Sequence, residues 1–279
     1  MLEIILITVA LVALVLASYA DLTTKEVPDW LNYALIFAAL GIRIIFSFQL
    51  GWYILLSGLL GLAVFFLLGL LFYRANQWGG GDSKLLMGMG AVIGFTLPID
   101  ASSMNLVWFF FSVLFLGSIY GLIWMMIIAI KKKEFFMVEF KKEINKYKKF
   151  HVGLWVLSIF FIFLGLFSNF FWFLALFPAA IYYLLLFVNA VEKNCFISEV
   201  KISQLSEGDW LAEKVVRNER TLLKKKTLSR KDIDKLYQER IANVKIKEGI
   251  PFIPSFLFAY LLVTFGSSIF TWLMGQVFG

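Results

Sequence analysis

The chain holds one cysteine and one histidine in 279 residues. A lone Cys195 has nothing to pair with, so an internal disulfide and a zinc site built from several cysteines are excluded. It reads as an inert small residue. The lone His151 sits where a basic loop meets an apolar run, which gives a Ser-His or Cys-His mechanism little support. The chain begins Met1-Leu2-Glu3, with no Lys or Arg ahead of the first apolar run. That argues against a cleaved signal peptide and for a retained helix with its N-terminus outside. Charge is scarce as well: 16% of residues are charged against 61% hydrophobic. A soluble domain is nearer about 45–50% apolar. The alternating segments of about ten residues that mark a membrane β-barrel are missing.

What is present is a series of long apolar runs, so the fold class is an all-α polytopic membrane protein. The runs are about 4–20, 31–48, 52–73, 84–99 and 105–130, then 154–191, then 252–273. The stretch 154–191 is too long for one span and reads as a hairpin of two, turning at Ser168-Asn169. That makes about eight transmembrane helices. Arg43 lies inside the second span and is expected to snorkel to the far interface. Gly88, Gly90 and Gly94 in the fourth allow close helix approach.

By this reading 1–130 is a transmembrane catalytic core and 131–150 a cytoplasmic basic amphipathic segment. A transmembrane hairpin at 151–191 follows, then a small cytoplasmic α+β domain at 192–250 and the last helix at 251–279. Segment 131–150 interleaves eight lysines with Phe135, Phe136, Val138, Phe140, Ile144 and Tyr147. It is expected to lie on anionic lipid. Strand character is expected at 196–203 and 209–217, and a helix at 229–241 capped by Ser229.

Charge sets the orientation. The loops after spans one, three, five and seven hold 25 of the 26 Lys and Arg; Arg43 is the exception. The positive-inside rule makes these loops cytoplasmic and places both termini outside. The net charge of +7 then has a membrane explanation, and nucleic acid is not expected as a partner.

Two acids stand out against this background. Asp82 follows Gly79-Gly80-Gly81 and opens the fourth run; Asp21 closes the first. An ionisable group in membrane sequence is a functional-site hypothesis by default. Both acids fall at the cytoplasmic face. Two carboxylates that share a site hold one proton between them. The ionised one activates water, and the protonated one donates to a scissile carbonyl oxygen. The pair titrates as a unit, so the sequence leaves the roles open. The three glycines let a substrate backbone approach and offer N–H groups to it. The competing reading of Asp82 is a helix cap after a flexible loop.

These residues resemble a family. Gly79-Gly80-Gly81-Asp82, with Lys84 two residues on, is similar to the GxGDxK form of the membrane aspartyl protease signature. Asp21 with Val27-Pro28-Asp29 resembles the first-aspartate motif of type IV prepilin peptidases and archaeal preflagellin peptidases. The match covers roughly 15–95. More weakly, Glu207-Gly208-Asp209-Trp210-Leu211 and Gly249-Ile250-Pro251-Phe252-Ile253-Pro254-Ser255-Phe256 look like the C-terminal region of archaeal members. The paired CxxC motifs of bacterial members are missing, which puts N-methyltransferase activity in doubt.

The resemblance implies an aspartic endopeptidase of the plasma membrane. It would cut class III signal peptides from prepilin-like or preflagellin-like precursors at the cytoplasmic face, with no metal and no cofactor. Asp21 and Asp82 are the expected catalytic pair. Gly79, Gly80, Gly81, Lys84, Pro28 and Asp29 are the expected substrate-binding set, with Asp29 read also as a helix cap. Glu26, Asp29, Glu134, Glu139 and Glu143 are possible contacts for a basic leader. Two other readings stay open: a presenilin-like intramembrane protease and a carboxylate-relay transporter. The first would want a Tyr-Asp pair in a central span, where this chain has Tyr19-Ala20-Asp21 at the end of span one. The second would want acids at mid-membrane and inverted repeats.

Overall fold

The computed structural model describes residues 1–75, 77–98, 101–168, 170–205, 208–217, 220–224, 227–239, 241–247 and 249–278. The helices are α1 (Leu2–Thr24), α2 (Asp29–Leu50), α3 (Tyr53–Arg74), α4 (Gly80–Ile93) and α5 (Ala101–Lys131). They continue as α6 (Lys133–Lys146), α7 (Lys148–Leu164) and α8 (Phe170–Ala190), then a π-helical turn at Val191–Cys195. After it come β1 (Ile197–Lys201), β2 (Trp210–Leu211), β3 (Val215–Arg217), β4 (Arg220–Leu223), α9 (Arg230–Gln238), β5 (Asn243–Lys247) and α10 (Pro254–Phe278).

Two compact units divide the chain, one of 1–122 with 250–279 and one of 123–249. In the first, α1 buries Leu6, Ala10, Ala13, Leu14 and Ala17, a helical stripe that ends at Asp21. The inner stripe of α2 carries three polar residues, Asn32, Arg43 and Ser47. Helices α3 and α4 touch backbone to backbone: a Cβ on Gly61 would sit 2.2 Å from the Gly90 carbonyl oxygen. Gly88 likewise makes room for Leu35. Phe65, Phe109 and Phe256 fill the core, with ring centroids 6.0 Å (Phe65–Phe109) and 6.1 Å (Phe109–Phe256) apart.

Arg43 does not snorkel. It is buried, and its guanidinium donates to the carbonyls of Ala91 (2.8 Å), Val92 (2.8 Å) and Ile54 (2.9 Å) and to Ser57 Oγ (2.7 Å). Ala91 and Val92 are in the last turn of α4, whose carbonyls have no partner within the helix. Arg43 therefore caps the α4 C-terminus from a neighbouring helix, where the helix dipole favours a cation. Gly58 and Gly94 leave the space: a Cβ there would lie 2.4 Å and 2.7 Å from the Arg43 side chain.

Five helices among the described residues are long and apolar enough to cross a membrane: α1, α2, α3, most of α5, and α8 with the π-helical turn. A sixth is added if α6 and α7, bent by 78°, form one span. Among the described residues the expected count of about eight is not confirmed. Helix α4 has 14 residues, or about 21 Å at 1.5 Å per residue, against a hydrocarbon core of about 30 Å. The described apolar part of α10 is also short, Pro254–Gly266. The expected hairpin corresponds to α7 and α8; Asn169 lies outside the described residues.

In the second unit β5 is the central strand of a three-stranded antiparallel sheet, order β1-β5-β2, and β3 pairs with β4. Ile202, Leu211, Leu223, Leu228, Leu236 and Val244 form its core. Helix α9 begins at Ser229, whose N–H is accepted by Asp232 Oδ2 at 3.0 Å. Along α6, Phe136 stacks on Phe140 and meets Phe187 of α8, while Phe135 and Val138 are exposed. Glu143 is buried and pairs with Lys193, and Glu139 accepts from Asn194. Two of the four glutamates offered above as leader contacts, Glu139 and Glu143, are thus already engaged.

Candidate active site

Asp21 stands in the last turn of α1, buried, at the inner end of its stripe. Helix α1 ends at Lys25, in the left-handed conformation, with its N–H bonded to the Asp21 carbonyl. The Asp21 side chain turns elsewhere. Its Oδ2 accepts the N–H of Ile253 at 2.8 Å, just ahead of Pro254 where α10 begins. Residue 253 is 232 positions away, and its free N–H is one that a helix start cannot satisfy internally. Phe252 helps to fix this approach: its ring fits against Gly117 of α5, where a Cβ would be 2.4 Å away.

Asp82 stands in the first turn of α4 and is half-buried. Its Oδ2 accepts the N–H of Gly79 at 3.0 Å, and Ser83 Oγ donates to the Gly79 carbonyl at 3.1 Å. The capping reading of Asp82 is therefore correct as local structure. It does not compete with a catalytic role, because a carboxylate has lone pairs beyond the one used.

The two motifs meet. Gly81 packs on the loop between α1 and α2, where a Cβ would lie 3.3 Å from Val27 Cβ. Asn32 Nδ2 reaches the Gly81 carbonyl at 3.5 Å. Lys84 Nζ is 2.6 Å from Asp29 Oδ1 and lies over the Tyr33 ring at 5.6 Å. Lys84 and Asp29 thus pair with each other and tie α4 to α2. Pro28 precedes α2 as its N-terminal cap residue. Asp21 lies within electrostatic reach of Asp82 and of the Tyr120 phenol on α5. Trp78, just before the glycines, stacks with Phe72 at 4.7 Å and meets Phe252 at 5.8 Å.

So one unit gathers Asp21, Asp82, the three glycines, Pro28, Asp29 and Lys84 around the junction of α1, α2 and α4. Residues 8–126 match the model of the Type IV leader peptidase family. Over that segment, under half of the chain, the protein is similar to this family. The match encloses both acids and every other residue of the site except the start of α10. No curated protein matches the chain. The apolar helices fit a multi-pass membrane protein, and the matched family is one of peptidases.

Three contributors are not singled out in the sequence reading: Asn32, the Ile253 N–H and Tyr120. Asn32 carried a signal, a polar side chain on the apolar stripe of a span. The Ile253 contribution is a backbone group, which carries no residue-type signal. Among the described residues, no cluster of three or more His, Cys, Asp or Glu is placed to hold a metal ion.

Proposed function

We propose that this protein is a membrane aspartyl endopeptidase that removes class III signal peptides from prepilin-like or preflagellin-like precursors. Asp21 and Asp82 form the catalytic pair. The observation that carries the reading is the meeting of the two aspartate motifs, 61 positions apart, at one junction inside the family-matched segment.

The chemistry needs one proton between two carboxylates. The ionised carboxylate takes a proton from water as the water oxygen attacks the scissile carbonyl. The protonated one donates to the carbonyl oxygen. The resulting diol collapses as its C–N bond breaks and the amine leaves protonated. Asp82 holds its place through Gly79, and Asp21 through Ile253; neither hydrogen bond uses up the carboxylate. Gly79, Gly80 and Gly81 present no side chains to an extended substrate.

Three helices long enough to span, α1, α2 and α3, support a common face for the pair. Asp21 ends the first and Asp82 follows the third, so both lie on one side. Lys25, Arg74 and Lys84 accompany them, and this positive charge supports a cytoplasmic face. A class III precursor presents a short basic leader there, ahead of its apolar helix. Of the acids available to it, Asp29 is already paired with Lys84.

Mass spectrometry of the products tests the reading. The purified protein, given a precursor with a basic leader and an apolar helix, is expected to cut at their border. Cuts within the apolar helix would instead support the presenilin-like alternative. An uncut precursor would count against leader cleavage.

A further inference from the structure

Asn32 is fully buried on the inner stripe of α2. A side-chain amide brings two donors and an acceptor, and buried polar groups are costly unless bonded. Here Nδ2 donates to the Gly81 carbonyl at 3.5 Å, while Oδ1 has no hydrogen-bond partner. A leucine has the same branched heavy-atom skeleton without that cost. Asn32 is therefore poorly explained as a packing residue.

Its partner explains it better. The turn ahead of Asp82 is three glycines, and glycine gives a backbone the widest conformational freedom. The Gly79 N–H and carbonyl bond to Asp82 and Ser83, both within the same turn. Asn32 adds a bond from a different helix. It acts on the carbonyl of Gly81, in the peptide unit that joins Gly81 to Asp82. Helix α2 follows α1 after a short loop, so the bond ties the helix next to the one that carries Asp21 to the turn that carries Asp82.

We propose that Asn32 is a positioning residue of the aspartate pair, holding the Gly81–Asp82 peptide so that the Asp82 carboxylate faces Asp21. The proposal rests on the reading of Asp82 as catalytic.

The test compares the full-length wild type with Asn32→Leu, Asn32→Asp and Asp82→Asn in detergent. It reads kcat and KM on a leader-bearing precursor, thermal midpoint, and hydrogen–deuterium exchange across 77–84. Asn32→Leu is expected to melt no lower than the wild type, because it removes a buried unbonded acceptor. Its kcat is expected to fall by about tenfold or more with KM within about twofold, since the loss is in aiming rather than binding. Exchange across 77–84 is expected to rise. Asn32→Asp is expected to lose kcat as well, because an acceptor then faces the Gly81 carbonyl. Wild-type kcat and exchange in Asn32→Leu would overturn the proposal. So would a fall in activity matched by a fall in thermal midpoint with exchange unchanged. If the wild type leaves the precursor uncut, the peptidase reading fails separately. Exchange then still decides whether Asn32 holds the turn, and unchanged exchange overturns it.

Discussion

The two units of this chain handle charge in opposite ways. In the unit of 1–122 and 250–279, buried polar groups are met by backbone at helix ends. Arg43 closes the C-terminus of α4, Asp21 receives an N–H where α10 begins, and Asp82 receives one at the start of α4. In the unit of 123–249, charges meet charges near the surface: Lys245 with Glu213, Arg217 with Glu239, Lys247 with Glu192. The difference follows from surroundings. A helix packed among apolar neighbours has no water to satisfy its terminal groups, so a side chain must do it. Exposed ion pairs lack that pressure and contribute little. Buried polar residues of the first unit are thus parts of the fold's joints, while the exposed pairs of the second decorate it; buried Glu143, paired with Lys193, is the second unit's exception.

The contrast can be broken by substitution. The largest effect is expected for Gly61→Leu, which drives a side chain into the Gly90 carbonyl and separates α3 from α4. Overpacking of this severity costs about 3 kcal/mol or more, seen as failure to purify as a folded monodisperse species. Next comes Arg43→Met. It leaves the Ala91 and Val92 carbonyls buried and unbonded, a loss of about 2–4 kcal/mol read as a lower thermal midpoint in detergent. Arg43→Lys is expected to recover little, because one ammonium cannot span four acceptors. Lys84→Ala removes a partly exposed pair with Asp29 and should cost under about 1 kcal/mol. Lys245→Ala, in the other unit, should change the thermal midpoint negligibly. A Lys245→Ala loss as large as that of Arg43→Met would erase the contrast.

Much of the site was legible because its signals are rare in such a sequence. An acid after three glycines stands out in a chain that is 16% charged, and so does an acid at the end of an apolar run. Helices α1, α2, α3 and α5 follow from length and hydropathy. Arg43 was misread because its acceptors are backbone carbonyls 48 and 49 positions away, and carbonyls leave no mark in composition. The Asp21–Ile253 bond is hidden for the same reason. Eight spans are not confirmed among the described residues, because α4 is short, with Arg43 at its C-terminus, and the described apolar part of α10 is short too. In the second unit, β1 and α9 fell where patterning put them, whereas β4 and β5 were missed. The alternation Val244, Lys245, Ile246, Lys247 was available as a strand signal, obscured by its lysines.

The central claim is that the two acids act together, and one gel tests it directly. Wild type, Asp21→Asn and Asp82→Asn are each co-expressed with a precursor bearing a class III leader, and the precursor's size is followed. The account predicts a shortened precursor with the wild type and an intact one with either variant, both variants being present in the membrane at wild-type level. A variant that cuts at the wild-type rate would show that its aspartate only caps a helix, and the dyad would be contradicted.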